Sequence, residues 1–221
     1  MRTVIFDLDG TLADTSGDLI AAANACFESM GRDVALDPVA DKATAFRGGR
    51  AMLRLGFERL GETRDDASLL SEYAMFLEIY GRNLDRTSEL YPGAEQAVRQ
   101  LADVGYKLGI CTNKPEALAE TLMRNLGVRE LFGSLVGADT LPVRKPDPAP
   151  YVESVIRAGG AVELSLLVGD TITDSDTALA AGVPFVLVDF GADGADGAAP
   201  DSDATLPGYD ALVETVSRLI G

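Results

Sequence analysis

Hydrophobic positions along this chain follow two rhythms. Short, unbroken apolar runs end on a polar or acidic residue: Thr3 to Phe6 before Asp7, Leu108 to Cys111 before Thr112, and Leu166 to Val168 before Gly169-Asp170. Runs of this length without alternation read as strands covered on both faces, the pattern of a parallel sheet. From Tyr91 onward such runs alternate with amphipathic helical spacing, which predicts a doubly wound, Rossmann-like α/β core. Between about 16 and 86 no strand pattern occurs. Leu19, Ala23, Phe27 and Met30 form one helical stripe there, and Leu69, Leu70, Tyr73, Phe76, Leu77, Tyr80 and Leu84 form another. These stripes are expected to be packing surfaces of an inserted all-helical domain. Polar junctions at Asp14-Thr15-Ser16-Gly17 and Asp85-Arg86-Thr87-Ser88 place the core at 1–15 and 87–221 and the helical insertion at 16–86. Paired junctions of this kind permit a hinge.

The strand ends carry the chemistry. Asp7 and Asp9 close the first run before a turn at Gly10, and alternation along an extended chain points both side chains the same way, with Leu8 turned into the core. Two carboxylates ~4 Å apart repel by ~4 kcal/mol at an effective dielectric of ~20, so such a pair calls for a cation, a shared proton or divergent orientations. A divalent metal answers that need. Mg²⁺ favours one or two carboxylates, a carbonyl and several waters, which Asp7, Asp170 and the backbone carbonyl of Asp9 can supply. Asp174, one helical turn beyond Asp170, is placed to reach the metal's water shell or Lys145, whereas Asp176 reads as a solvated helix residue. Thr112 and Asn113 follow the second strand and precede Pro115; they suit phosphate binding, and equally the capping of a helix. Lys145, held between Arg144 and Pro146, is the candidate point charge against phosphate oxygens, with Arg144 facing solvent.

In this order and spacing, Asp7-Leu8-Asp9-Gly10-Thr11, Thr112-Asn113-Lys114, Lys145-Pro146 and Gly169-Asp170 with Asp174 resemble the motifs of the haloacid dehalogenase superfamily, and the likeness spans the chain. The intervening sequence, including Tyr91-Pro92-Gly93, resembles the phosphoglycolate phosphatase branch. The resemblance implies a Mg²⁺-dependent phosphatase. Asp7 would be the nucleophile that becomes an aspartyl phosphate, Asp9 the general acid and base, and Lys145 and Thr112 the stabilisers of phosphoryl charge, with Asp170 anchoring the metal. It also makes residues 16–86 a substrate-selecting cap, in which Arg47, within Phe46-Arg47-Gly48-Gly49-Arg50, is the candidate for a second anionic group of the substrate. The alternative reading of that segment is a glycine-rich helix connection with solvated arginines. Asp9 argues against a dehalogenase, whose leaving halide needs no proton. Lys42, the sole lysine of the insertion, sits in no evident site, which argues against a phosphonatase. The resemblance favours 2-phosphoglycolate as substrate, with sugar phosphates, nucleotides and pyrophosphate as competing substrates; a β-phosphoglucomutase-like transferase and a silent scaffold are competing functions, and the lack of histidine favours hydrolysis over transfer while the complete motif set disfavours the scaffold.

Composition trims the partners. Thirty-five acidic residues against nineteen basic ones, a formal charge of −16, leave no basic footprint for nucleic acid. No apolar run reaches the length of a membrane span, so a cytoplasmic protein acting on a small phosphorylated metabolite is expected. Cys26 and Cys111 fall in different predicted domains and are expected to be reduced and buried. An acidic Gly/Ala-rich segment at 189–203 is expected to be an exposed loop without assigned function.

Overall fold

The computed structural model describes residues 1–190 and 201–221. Apolar, β-branched and aromatic residues at Thr3–Phe6 form β1, and the chain then turns through Leu8 to Ala13 into a short strand, β2 (Ala13–Asp14). Four helices follow: α1 (Ser16–Ser29), α2 (Lys42–Phe46), α3 (Gly49–Arg59) and α4 (Leu70–Gly81). After β3 (Glu89–Leu90) comes the alternating part: α5 (Ala94–Asp103), β4 (Lys107–Cys111), α6 (Glu116–Asn125), β5 (Ser134–Val136), α7 (Ala149–Arg157), β6 (Ser165–Gly169), α8 (Ile172–Ala181), β7 (Phe185–Val188), β8 (Ala204–Leu206) and α9 (Leu212–Ile220).

Six strands join in the order β5-β4-β1-β6-β7-β8, every paired neighbour parallel, while β2 and β3 form a separate two-stranded sheet. This is the Rossmann-like doubly wound fold expected from the alternation. β1 lies between β4 and β6, so consecutive crossovers leave it in opposite directions and open a crevice at its carboxyl end. Its residues, together with Leu166, Leu167 and Val168, are fully buried. Tyr151 and Val155 of α7 pack on one face with Ile5, Cys111 and Leu167.

The chain divides into two compact units, Met1–Ala13 with Leu90–Gly221, and Asp14–Glu89. The second extends past the junctions read from the sequence, and a buried carboxylate explains the shift at its far end. Asp18, in the first turn of α1, accepts hydrogen bonds from the Thr87 and Ser88 amides at 3.0 Å and from their hydroxyls at 2.8 and 2.7 Å. Residues 87 and 88 are thereby tied into the helical unit instead of the core. Within that unit Phe27 meets Phe57 edge to face, with ring centroids 5.2 Å apart, and Leu19, Ala23, Phe76, Tyr80 and Leu84 are buried as expected. Leu70 is an exception: it is 62% exposed, because α4 begins there and turns it outward while Leu69 is buried. Lys42 pairs with Asp14 at 2.7 Å. Both cysteines are free and buried. Among the described residues no helix is long and apolar enough to cross a membrane. Most of the acidic Gly/Ala-rich segment, residues 191–200, lies outside the described residues.

Candidate active site

Three neighbouring strands deliver the chemistry to one edge. Asp7 follows β1, Thr112 follows β4 and Asp170 follows β6, and the parallel register aligns Phe6 with both Ile110 and Val168. Asp7, Thr112, Lys145, Asp170 and Asp174 are all buried. Lys145 stands 2.9 Å from Asp7 Oδ1, and its Nζ donates a hydrogen bond to Asp174 Oδ1 at 2.6 Å. The ammonium is aligned toward Asp174, so Asp7 Oδ1 is buried without a hydrogen-bond donor.

Asp174 belongs to the helix start as much as to the site. Thr171 gives Asp174 Oδ2 its amide at 3.1 Å and its hydroxyl at 2.7 Å, part of a capping box that starts α8 at Ile172. Gly169 makes the approach possible, since a Cβ there would lie 2.5 Å from the Asp174 carboxyl carbon. Asp170 is fixed by the Thr11 hydroxyl, which donates to its Oδ1 at 2.7 Å, while the buried Tyr209 hydroxyl donates to the Thr11 carbonyl at 2.7 Å.

Burial raises the pKa of Asp7 to about 6; Lys145 opposes the shift, and Asp174 and Asp9 add to it. Burial disfavours the Lys145 ammonium, yet Asp174 and Asp7 outweigh it and hold the pKa above that of an ordinary lysine. Cys111, just behind the site, has its thiol pushed up to about 12 by burial, which makes it a packing residue and not a nucleophile.

One oxygen from each of Asp7, Asp170 and Asp174 lies within 4.8 Å of the others. Three buried carboxylates here face a single ammonium, and the shortfall equals the charge of one divalent cation. An all-oxygen donor set suits a hard ion such as Mg²⁺. Both Asp174 oxygens already accept hydrogen bonds from Lys145 and Thr171, so direct ligation of an ion by Asp174 would compete with them.

The second half of the site was only partly legible in the sequence. Lys114 Nζ donates to Asp9 Oδ1 at 2.8 Å, with the two side chains 3% and 15% exposed. Lys114 lies within the quoted motif but carries no role in the sequence pattern; the available signal was a basic residue three positions past a strand end in a chain with few lysines. Thr11 was missed likewise. Thr112 Oγ1 accepts the Lys114 amide at 3.2 Å. Asn113 donates its amide nitrogen to the Lys145 carbonyl at 3.0 Å, so it braces the loop that carries Lys145. Arg144 and Asp176 are exposed, as expected. Arg47 ends α2 in the helical unit and is exposed there.

Known proteins resemble the chain over most of its length. Residues 4–188 match the haloacid dehalogenase-like hydrolase family. The phosphoglycolate phosphatase of Mesorhizobium japonicum is 38% identical over 98% of this chain and 96% of its own length, and that of Rhodospirillum rubrum is 38% identical over 86% and 80%. Among solved structures, a predicted phosphoglycolate phosphatase from Haemophilus somnus superposes with a TM-score of 0.83 at 22% identity, covering 97% of both chains. CbbY from Rhodobacter sphaeroides, solved with phosphate, gives 0.77 at 21% identity, covering 96% of each. With its carboxylates, lysines and strand order in this arrangement, the chain belongs to the haloacid dehalogenase-like hydrolase family.

Proposed function

We propose that this protein is a Mg²⁺-dependent phosphomonoesterase that works through an aspartyl phosphate on Asp7 and acts on 2-phosphoglycolate. The carrying observation is the pair of carboxylates on one strand end, each with its own buried lysine: Asp7 with Lys145 at 2.9 Å and Asp9 with Lys114 at 2.8 Å. One carboxylate is buried beside a fixed ammonium, as a nucleophile facing phosphoryl oxygens requires. The other is partly open, as proton exchange with leaving group and water requires.

In this reading an Asp7 oxygen bonds to phosphorus as the ester P–O bond breaks, and Asp9 gives its proton to the departing alkoxide. Asp9 then takes a proton from the water that attacks phosphorus, and the Asp7 carboxylate is released with inorganic phosphate. Lys145 and the Thr112 hydroxyl hold the charge spread over the phosphoryl oxygens, positions that need no rearrangement during the reaction. Asp7, Asp170 and the Asp9 carbonyl would hold Mg²⁺, which supplies positive charge to the same oxygens and neutralises the carboxylate excess. Asn113 keeps the Lys145 loop in place. The helical unit is assigned substrate selection, with Arg47 as receptor for the substrate carboxylate; the names of the 38%-identical relatives support 2-phosphoglycolate.

Phosphate release with Mg²⁺ across 2-phosphoglycolate, sugar phosphates, a nucleoside monophosphate, pyrophosphate and β-glucose 1-phosphate tests the proposal, with Asp7→Asn as control. Preference for 2-phosphoglycolate supports the full reading. Preference for another ester retains the chemistry and discards the substrate, and release that does not depend on Asp7 discards both.

A further inference from the structure

We infer that Lys114 is a positioning residue for proton transfer, holding Asp9 so that the first chemical step can use poor leaving groups. The inference rests on the reading of Asp9 as general acid.

Lys114 is an unusual place for a lysine. The chain has four, and two of them, Lys114 and Lys145, are buried at this sheet edge. A lysine side chain is costly to bury and carries large rotamer entropy, so near-complete burial requires a partner and a constrained backbone. Both are present. The Lys114 amide donates to Thr112 Oγ1 at 3.2 Å, and its carbonyl accepts the Ala138 amide at 3.0 Å. Gly137 lies against the same turn, where a Cβ would fall 2.8 Å from the Lys114 carbonyl oxygen and 2.4 Å from the Glu116 nitrogen. The loop after β5 therefore clamps the Lys114 backbone, and the side chain reaches from there to Asp9 Oδ1 at 2.8 Å.

A carboxylate at a strand end has several rotamers of similar energy. A charge-assisted hydrogen bond from Lys114 to Oδ1 selects one of them and so fixes the direction in which the carboxyl group meets the leaving oxygen. The nucleophile is not the target, because Asp7 has its own ammonium in Lys145. Lys114 should therefore matter in proportion to how much the leaving group needs a proton, which a lysine serving only stability would not do.

The test measures kcat/KM, which reports steps through phosphorylation, for p-nitrophenyl phosphate, phenyl phosphate and an alkyl phosphate with Mg²⁺. The variants are Lys114→Met, Lys114→Arg, Asp9→Asn and the double variant Asp9→Asn with Lys114→Met, with Lys114→Gln in place of Met if circular dichroism shows that Met misfolds. Lys114→Met is expected to lose at least about 30-fold on the alkyl ester and under about 5-fold on the nitrophenyl ester, within the range of general acid catalysis. Lys114→Arg should recover most of that loss. In the Asp9→Asn background the Lys114→Met change should cost less than about 3-fold on any ester, since two groups acting as one unit are not additive. Equal loss on all three esters, with Asp9→Asn still discriminating among them, overturns the inference and leaves the acid role of Asp9 standing. Loss that is uniform in Asp9→Asn as well overturns both.

Discussion

Replacing Lys145 with methionine isolates the electrostatics of the nucleophile's surroundings. Methionine keeps an unbranched apolar stem of similar length, so packing changes little. The ammonium is lost from a position 2.9 Å from Asp7 and 2.6 Å from Asp174, both buried. Breaking a buried ion pair from one side costs about 3–5 kcal/mol, because a charge is left without its counter-ion. Protonation caps that cost. An aspartate with an ordinary value of 3.8 can bind a proton for about 5 kcal/mol at pH 7.5 but for under about 2 kcal/mol at pH 5, at about 1.4 kcal/mol per pH unit. The sign follows from proton counting. In the variant, the native state binds more protons than the unfolded chain between the ordinary and the raised carboxyl values. Its stability therefore falls as pH rises through that window and recovers as pH falls back toward 4. Lys145 itself titrates far above this range, so in the wild-type chain its stabilisation is intact across the window. The assay is thermal denaturation of both proteins in chelator at pH 5.0 and 7.5. At pH 7.5 a midpoint lower by roughly 6–20 °C is expected for a chain of this size, and a much smaller gap at pH 5.0. Equal destabilisation at both pH values, or a change under about 1 kcal/mol at pH 7.5, would show that Lys145 is not compensating buried carboxylates.

Other consequences follow from the same contacts. Asp7→Asn should reduce turnover at least ~10³-fold with an unchanged circular dichroism spectrum, and in chelator it should raise the denaturation midpoint at pH 7.5, because it removes a carboxylate whose pKa burial raises to about 6. Mg²⁺ should raise the midpoint of the wild-type protein by an amount that grows with its concentration, and Asp170→Asn should largely abolish that response. Asp18→Ala strands the buried amide of Ser88 while the exposed Thr87 can turn to water, so denaturation should show a loss of about 1–3 kcal/mol, the cost of a buried donor left unpaired.

The parts of the fold and site that could be read from the chain were those in which local pattern and tertiary demand coincide. Thr3–Phe6 is β-branched or aromatic and nearly all apolar because it lies between two strands and under two layers, and Asp7 is legible because three further motifs follow it in a fixed order. Leu70 misled because a stripe drawn by spacing cannot locate the residue at which a helix begins. The sequence motif showed Lys114 beside Thr112 and Asn113, but not that a loop more than twenty residues later, at Gly137 and Ala138, would turn it toward Asp9. Contacts of that range are set by chain topology and leave little trace in local composition.

The central claim is that a phosphoryl group resides on Asp7, and chemical trapping tests it most directly. Asp9→Asn should form the phosphoenzyme from an activated aryl phosphate and hydrolyse it slowly. Acid quenching followed by borohydride reduction would then convert an acyl phosphate to the corresponding alcohol. The account predicts homoserine at position 7, detected by peptide mass spectrometry and dependent on both substrate and Mg²⁺. Aspartate intact at position 7, under conditions where the wild-type protein releases phosphate from the same ester, would contradict it.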